Sequence, residues 1–155
     1  MERYIWKSLN RQQIGAYAEY FVKMELTMCG FHVYSPEIDD RGIDFVARHG
    51  KGSFIEVQVK SRRGLGYVFM QRSKFELSDS LHLAFVLFSE GKQPDLYLIP
   101  SRVWKAPNAV FVSHKYGEGK KSKPEWGLNV SRKNMGLLEP YRLESSVTTL
   151  CGEGS

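Results

Sequence analysis

Two stretches decide the fold and the candidate site: Arg41-Gly42-Ile43-Asp44-Phe45-Val46-Ala47 and Phe54-Ile55-Glu56-Val57-Gln58-Val59-Lys60-Ser61. Each has the length and apolar content of a β-strand, and the Gly-rich segment between them is typical of a turn. Asp44 interrupts the first strand between two apolar residues. Gly42 allows another group to approach its backbone closely. The pattern predicts two neighbouring strands with polar groups built into them.

The second stretch divides its side chains between two faces, because side chains alternate along a strand. One face is apolar, and the other carries Glu56, Gln58 and Lys60. One interpretation is an amphipathic strand whose polar face is solvated. The other is a central strand, where burying a Lys and a Glu costs several kcal/mol unless they are paired or bind a metal.

A long amphipathic helix is predicted upstream, over residues 9–29, and Gly30 supplies a left-handed helix stop. Glu19 lies at the edge of the apolar arc, where its carboxylate could face the sheet. Glu25 lies nearer the centre of that arc and is the alternative inward acid. The arc is expected to contain Ile14, Tyr17, Ala18, Phe21, Met24 and Met28.

The remaining segments predict a mixed α/β domain with a central sheet of four or five strands flanked by helices. A short helix is expected over residues 71–80, and residues 116–126 are interpreted as an exposed loop. Pro100 and Ser101 indicate a helix entry, after which Trp104 packs inward. Strands are expected over residues 31–34, 43–47, 53–60, 83–88, 95–99 and 109–112.

The composition narrows the class of protein. The chain has 155 residues, which indicates one domain over residues 1–150 with a frayed tail over residues 151–155. No apolar run approaches the roughly 20 residues that a membrane span needs. Two distant cysteines, Cys29 and Cys151, favour a reducing cytoplasm over a disulfide framework. The net charge of +5 is weak support for a polyanionic partner.

The order and spacing of these acids resemble the PD-(D/E)xK nuclease superfamily, which has a restriction-endonuclease-like α-β-β-β-α-β core. In that pattern a helix Glu precedes an Asp on one strand, and an acid-x-Lys motif follows on the next. Glu19, Gly42-Ile43-Asp44 and Gln58-Val59-Lys60-Ser61 match it, with Gln where Asp or Glu is usual. The placement of Glu19 before Gly30-Phe31-His32-Val33 is similar to archaeal Holliday-junction resolvases. The Gln-x-Lys variant is similar to a homing-endonuclease branch and to several uncharacterised bacterial families.

The resemblance implies a Mg²⁺-dependent DNA endonuclease in which metal-activated water attacks a phosphodiester, with Mn²⁺ as a substitute. Asp44, Gln58 and Glu19 would be the metal ligands, and Lys60 would orient the water or the phosphate. The expected partner is DNA, in an arrangement that allows a homodimer. Neither a membrane nor a small-molecule cofactor is expected.

Gln58 removes one negative charge beside the metal, which leaves a second function open. The fold could bind nucleic acid without cutting it, and a protein-interaction module is a third interpretation. Glu56 could serve a second site or pair with Arg62. Flanking basic residues could contact DNA phosphates, or they could be a solvated turn: Arg62, Arg63, Arg72 and Lys74. The cluster Lys120-Lys121-Ser122-Lys123 is interpreted mainly as a charged loop.

Overall fold

The structure is a computed structural model that describes residues 1–39, 41–116 and 121–152. Lys120, which belongs to the predicted basic cluster, lies outside these ranges. The helices are α1 (Arg11–Met28) and α2 (Leu143–Gly152). The strands are β1 (Phe31–Tyr34), β2 (Phe45–His49), β3 (Ile55–Arg63), β4 (Gly66–Gln71), β5 (Leu81–Phe88), β6 (Asp95–Pro100), β7 (Phe111–His114) and β8 (Glu125–Val130). Short 3₁₀ helices occupy Trp6–Ser8, Arg72–Lys74, Ser101–Lys105 and Met135–Tyr141.

Within the described ranges the strands form two sheets. The central sheet has the order β1-β2-β3-β5-β6, and the second sheet has the order β4-β8-β7. In the central sheet β3 and β5 are parallel, whereas the other neighbouring pairs are antiparallel. This confirms the predicted mixed sheet flanked by helices. The strand β3, which carries Gln58 and Lys60, lies in the middle of the sheet, which agrees with the central-strand interpretation and not with a fully solvated polar face.

Both faces of the central sheet are covered. The helices α1 and α2 pack on one face, where Val22, Phe45 and Val57 belong to the same apolar cluster. The second sheet packs on the other face, where Phe85 contacts a cluster that includes Met70 and Leu128. The domain therefore has three layers, and β5 is buried along its whole length because it has apolar neighbours on both sides.

Helix α1 begins with a capping box, in which the Asn10 side chain accepts a hydrogen bond from the Gln13 backbone and the Gln13 side chain accepts one from Asn10, both at 2.8 Å. The buried row of the helix is Ile14, Ala18, Val22 and Leu26. Met24 and Met28 are exposed, contrary to their predicted place in the buried arc. The helix is rotated toward its smaller side chains, which permit a closer approach to the sheet.

The segment between β3 and β5 contains no α-helix, so the short helix expected over residues 71–80 is wrong. Residues 66–71 form β4, and the 3₁₀ turn Arg72–Lys74 follows it. The predicted loop over residues 116–126 is also partly wrong, because Glu125 and Trp126 begin β8. Both errors have one cause: β4 pairs with β8 across a long stretch of sequence, which local patterns do not reveal.

The C-terminal end also differs from the expectation. Helix α2 extends through Cys151 and Gly152, which had been assigned to the tail, and residues 153–155 lie outside the described ranges. The β2 strand starts two residues later than predicted, because Asp44 leaves the regular ladder to bind β3 through its side chain. In the part of the chain that the structure describes, no helix combines the length and the apolar character needed to cross a membrane.

Candidate active site on the polar face of β3

The polar face of β3 looks away from α1. Val57 is buried against the helix layer, so Gln58 and Lys60 extend from alternate positions toward the other side. Phe45 of β2 is paired with Val57, and continuing that antiparallel register places Asp44 opposite Gln58. The topology thus brings Asp44, Gln58 and Lys60 to one face of the central sheet.

Asp44 is fixed to β3 by two hydrogen bonds. Its backbone N–H donates to the Val57 carbonyl at 2.9 Å, and its Oδ2 accepts a bond from the Val59 N–H at 2.7 Å. These bonds hold the carboxylate against the strand that carries Gln58. The second bond consumes a backbone donor of β3, which explains why the ladder is interrupted at this residue.

The pKa of Asp44 is raised above its ordinary value, chiefly because burial disfavours the charged carboxylate. The hydrogen bond from Val59 opposes this shift. Glu19 and, more weakly, Asp39 raise the pKa by repulsion, whereas Lys60 lowers it by attraction. Glu19 and Lys60 therefore lie within electrostatic reach of Asp44. Asp39 was not among the sequence candidates, although it lies only five positions before Asp44 in the chain.

Gln58 is 7% exposed, and its Oε1 has no hydrogen-bond partner among the described residues. Such an orphaned acceptor is unusual, because a buried polar atom without a partner costs about 1–3 kcal/mol. The amide end lies beside Gly42, where an added Cβ would be 3.3 Å from Gln58 Nε2 and 3.1 Å from the Lys74 carbonyl oxygen. Gly42 also has a φ of +80°. A larger residue there would be strained and would crowd the site.

Glu19 is the helix acid whose charge reaches Asp44, although α1 packs on the opposite face of the sheet. Its carboxylate pairs with Lys23 at 3.2 Å, one turn along the helix, and its side chain is 38% exposed. Glu25, the alternative, lies elsewhere, beside Cys29. The pKa of Cys29 is raised first by burial and then by the charge of Glu25. The structure therefore associates Glu19, and not Glu25, with Asp44.

Glu56 continues the same polar face but has a different environment. Its Oε1 accepts a hydrogen bond from the Ser80 hydroxyl at 2.9 Å. Together with Ser78 and Lys74 it lines a cavity of about 240 Å³. Neither serine was a sequence candidate, because a Ser-rich segment before a strand is typical of any turn. Glu56 is thus bound toward the start of β5 and forms no described pair with Arg62.

The four predicted nucleic-acid-binding residues are not in one place. Arg63 donates to the backbone carbonyls of Trp6 and Leu9, at 3.0 and 2.6 Å, and so anchors the N-terminal segment. Arg72 lies 3.8 Å from the centre of the Trp126 ring and donates to the Ser113 hydroxyl, inside the second sheet.

Two of the four basic residues remain close to the candidate site. Lys74 is exposed, and its backbone borders Gly42. Arg62 follows Lys60 on the same face of β3, and its guanidinium covers Gly66. Lys60, Lys74 and Arg62 therefore supply positive charge near this site.

The donor atoms are of the types that a hard divalent cation prefers. Asp44 and Glu19 offer carboxylate oxygens, and Gln58 offers an orphaned amide oxygen, which are ligand types that Mg²⁺ accepts. Within the described residues, no group of three or more His, Cys, Asp or Glu side chains is arranged to hold a metal. A metal at this site would depend on the amide of Gln58 as well as on the two acids.

Comparisons with known proteins place the fold. No protein-family model and no curated protein matches the chain. Among solved structures, the chain is similar to Hjc, a Holliday junction resolvase from the archaeal hyperthermophile Archaeoglobus fulgidus. The TM-score is 0.53 at 13% identity, over 85% of this chain and 98% of the resolvase. It is also similar to a bacterial homing endonuclease, with a TM-score of 0.49 at 18% identity, over 94% of this chain and 99% of that one. The likeness to the resolvase supports the observed fold, a mixed α/β domain with a central mixed sheet flanked by helices.

Proposed function

We propose that this protein is a metal-dependent DNA endonuclease of the PD-(D/E)xK type, in a Gln-x-Lys variant. The observation that carries the proposal is the buried Gln58 oxygen, which has no donor among the residues that the structure describes and lies on the same face as Asp44 and Lys60. A fold that needed only stability would replace this amide by an apolar side chain. Its position beside a carboxylate supports a ligand-binding role.

In this proposal Asp44 and Gln58 hold a Mg²⁺ ion, and Glu19 contributes from α1. When bound, the ion would offset the charge that develops on the phosphate and would lower the pKa of a coordinated water. The Val59 hydrogen bond fixes one oxygen of Asp44, which orients the carboxylate. Burial and repulsion by Glu19 disfavour the charged Asp44, so a cation at this point would relieve an existing cost.

Lys60 is the cation on this face whose charge lowers the pKa of Asp44. It is half-buried and follows Gln58 by two positions, about 6.5–7 Å along the strand. From there its ammonium can hold the attacking water or a non-bridging phosphate oxygen. Lys74 and Arg62 would steady the DNA backbone on either side, as phosphate contacts that carry no sequence preference. The proposed setting is the cytoplasm, and a homodimer would place two such sites on two strands.

Cleavage assays on supercoiled plasmid, four-way junction and single-stranded DNA test this proposal. Wild-type protein is expected to cut at least one of them with Mg²⁺ or Mn²⁺ and not with EDTA. Asp44→Ala and Lys60→Ala should abolish cutting, whereas the matched exposed controls Asp79→Ala and Lys51→Ala should not. Metal-dependent cutting by purified Asp44→Ala protein would show that the site is assigned wrongly.

A second candidate function is nucleic-acid binding without catalysis. Gln58 favours it, because an amide in place of a carboxylate leaves fewer negative charges to hold the ion. Isothermal titration calorimetry separates the two functions. Heat of Mn²⁺ binding that disappears in Asp44→Ala supports the nuclease. Absence of binding at millimolar Mn²⁺, together with salt-sensitive DNA binding, would select the inactive binder.

A further inference from the structure

The second sheet exposes aromatic side chains on the surface that faces away from the central sheet. Tyr67 and Phe69 of β4 alternate with the buried Val68 and Met70, and they are 37% and 48% exposed. Their rings are stacked, with centroids 6.4 Å apart and planes inclined by 17°. His114 of β7 meets the Tyr67 ring edge-on at 5.9 Å, and Tyr116 stacks on His114 at 5.9 Å. These residues, Tyr67, Phe69, His114 and Tyr116, form the aromatic face.

The rings of this face are held in position. Residue 127 on the middle strand is Gly, and a Cβ there would overlap the ring of Tyr67, so the ring lies across the strand. The Tyr67 hydroxyl donates to Glu125, and the Tyr116 hydroxyl donates to the same carboxylate at 3.2 Å. Glu125 itself is only 7% exposed. Two tyrosines are thus fixed through their hydroxyls, while Tyr67 and Phe69 remain accessible.

Positive charge borders one end of the aromatic face. Lys115, Lys121 and Lys123 are exposed in the described parts of the β7–β8 connection, next to His114 and Glu125. Glu125 is paired with Gln71, the last residue of β4. Lys74, which follows Gln71 by three residues, borders Gly42 at the candidate active site. Three residues span at most about 11 Å, so the lysine end of the face adjoins that site.

We propose that the aromatic face binds the unpaired bases of a single-stranded nucleic-acid segment. Fixed aromatic rings that are open to solvent offer stacking surfaces for bases, and the neighbouring lysines match the phosphates that accompany those bases. A duplex conceals the faces of its bases, so the surface favours unpaired nucleotides. Base binding by the aromatic face does not depend on the proposed nuclease function. The further point that the bound strand leads toward the candidate active site rests on that function.

The test is fluorescence anisotropy at low salt in EDTA. The two probes are a labelled single-stranded DNA of about 20 nucleotides and the duplex formed from the same strand. Phe69→Leu keeps an apolar side chain and removes the ring. It is expected to weaken single-strand binding by at least about tenfold, with no comparable loss for the duplex. Phe54→Leu is the matched control, because Phe54 is also 48% exposed but lies outside the second sheet, directly before β3.

A second variant tests the charges. Replacing both Lys121 and Lys123 with Gln should reduce the slope of log affinity against log salt by about 1.4, while Phe69→Leu should leave the slope unchanged. Equal binding by wild type, Phe69→Leu and Phe54→Leu, all shown to be folded by thermal unfolding, would overturn the inference. A dimer that dissociates in Phe69→Leu without any change in DNA affinity would overturn it too, because a second copy would then cover the face.

The inference and the proposed function can fail separately. If Asp44→Ala abolishes cutting but Phe69→Leu binds single strands normally, the nuclease proposal stands and the aromatic-face inference is wrong. If no substrate is cut while Phe69→Leu loses single-strand binding, the aromatic face is supported and the nuclease proposal is wrong.

Discussion

Gln58→Leu is predicted to stabilise the protein and to weaken metal binding at the proposed site. Leu has a similar size, and the replacement eliminates a buried oxygen that has no partner in the described residues. The cost of an orphaned acceptor is about 1–3 kcal/mol, so the variant should gain roughly that much free energy of unfolding in EDTA. A change of 1 kcal/mol shifts the Tm of a domain of this size by about 2–4 °C, which gives an expected rise of about 2–12 °C.

Metal binding should stabilise wild type but not Gln58→Leu. If wild type binds Mn²⁺ with a Kd of about 1 mM, then 10 mM Mn²⁺ adds roughly 1.4 kcal/mol, or about 3–6 °C. Gln58→Leu should show little of this increment. Gln93→Leu, in an exposed loop, is the control and should retain the wild-type increment. Thermal unfolding with EDTA and with Mn²⁺ measures both quantities.

Two results would refute this reasoning. A Gln58→Leu protein that is less stable than wild type in EDTA would show that the amide makes a stabilising interaction within the fold. A variant that keeps the full Mn²⁺ increment would show that Gln58 is not a ligand. The first result would remove the main support for the proposed site, whereas the second would redirect it to the carboxylates alone.

Three further predictions follow from single contacts. Asp44→Asn should raise the unfolding free energy at pH 7 by roughly 0.5–2 kcal/mol, because the raised pKa of Asp44 shows that its charged form is disfavoured in the fold. The same variant should abolish cleavage. A clear loss of stability in urea titrations would contradict the first expectation. Arg63→Ala should cost about 1–2 kcal/mol through two lost hydrogen bonds to backbone carbonyls, with DNA affinity unchanged in anisotropy titrations. Burial lowers the pKa of His82, so the unfolded state binds a proton more readily than the folded state. The free energy of unfolding should therefore be unaffected by His82 well above pH 6.5 and should fall as the pH drops below it, by at most about 1.4 kcal/mol per pH unit. Urea titrations at pH 7.5 and 5.5 should show that His82→Phe flattens this part of the profile, and an unchanged slope would exclude His82 as its source.

The central sheet was predictable because its strands are continuous in sequence and strongly apolar. The run at Leu83–Phe88 has no alternation, which is typical of a strand that is covered on both faces. The second sheet was not predictable in the same way. Its pairing joins Gly66–Gln71 to Glu125–Val130, and the second of these follows a segment rich in Gly and Lys that local patterns assign to a loop.

The sequence predicted that Gln58 and Lys60 would share one face near Asp44, but it did not predict the surroundings of these residues. Strand alternation placed Gln58 and Lys60 on one side, and the register of β2 brought Asp44 there. Helix angle alone did not distinguish Glu19 from Glu25, because the rotation of α1 depends on how Ala18 and Val22 fit the sheet. Nor could the sequence show that Arg63 is occupied by backbone carbonyls, since that contact joins residues more than fifty positions apart.

Gln58→Glu converts the Gln-x-Lys motif into the Glu-x-Lys motif of the nuclease superfamily that the sequence resembles. The new carboxylate would be buried opposite Asp44, whose pKa is already raised by burial and by Glu19. In EDTA at pH 7 the variant should therefore lose at least about 1 kcal/mol, and lowering the pH should restore this loss as the carboxylates are protonated. With metal the effect changes sign, because each added ligand charge strengthens the site. A tenfold tighter Kd of about 0.1 mM would make the increment at 10 mM Mn²⁺ about 2.7 kcal/mol. Calorimetry that finds equal Mn²⁺ affinity in the variant and in wild type would show that residue 58 does not face the ion, and that the amide is buried for another reason.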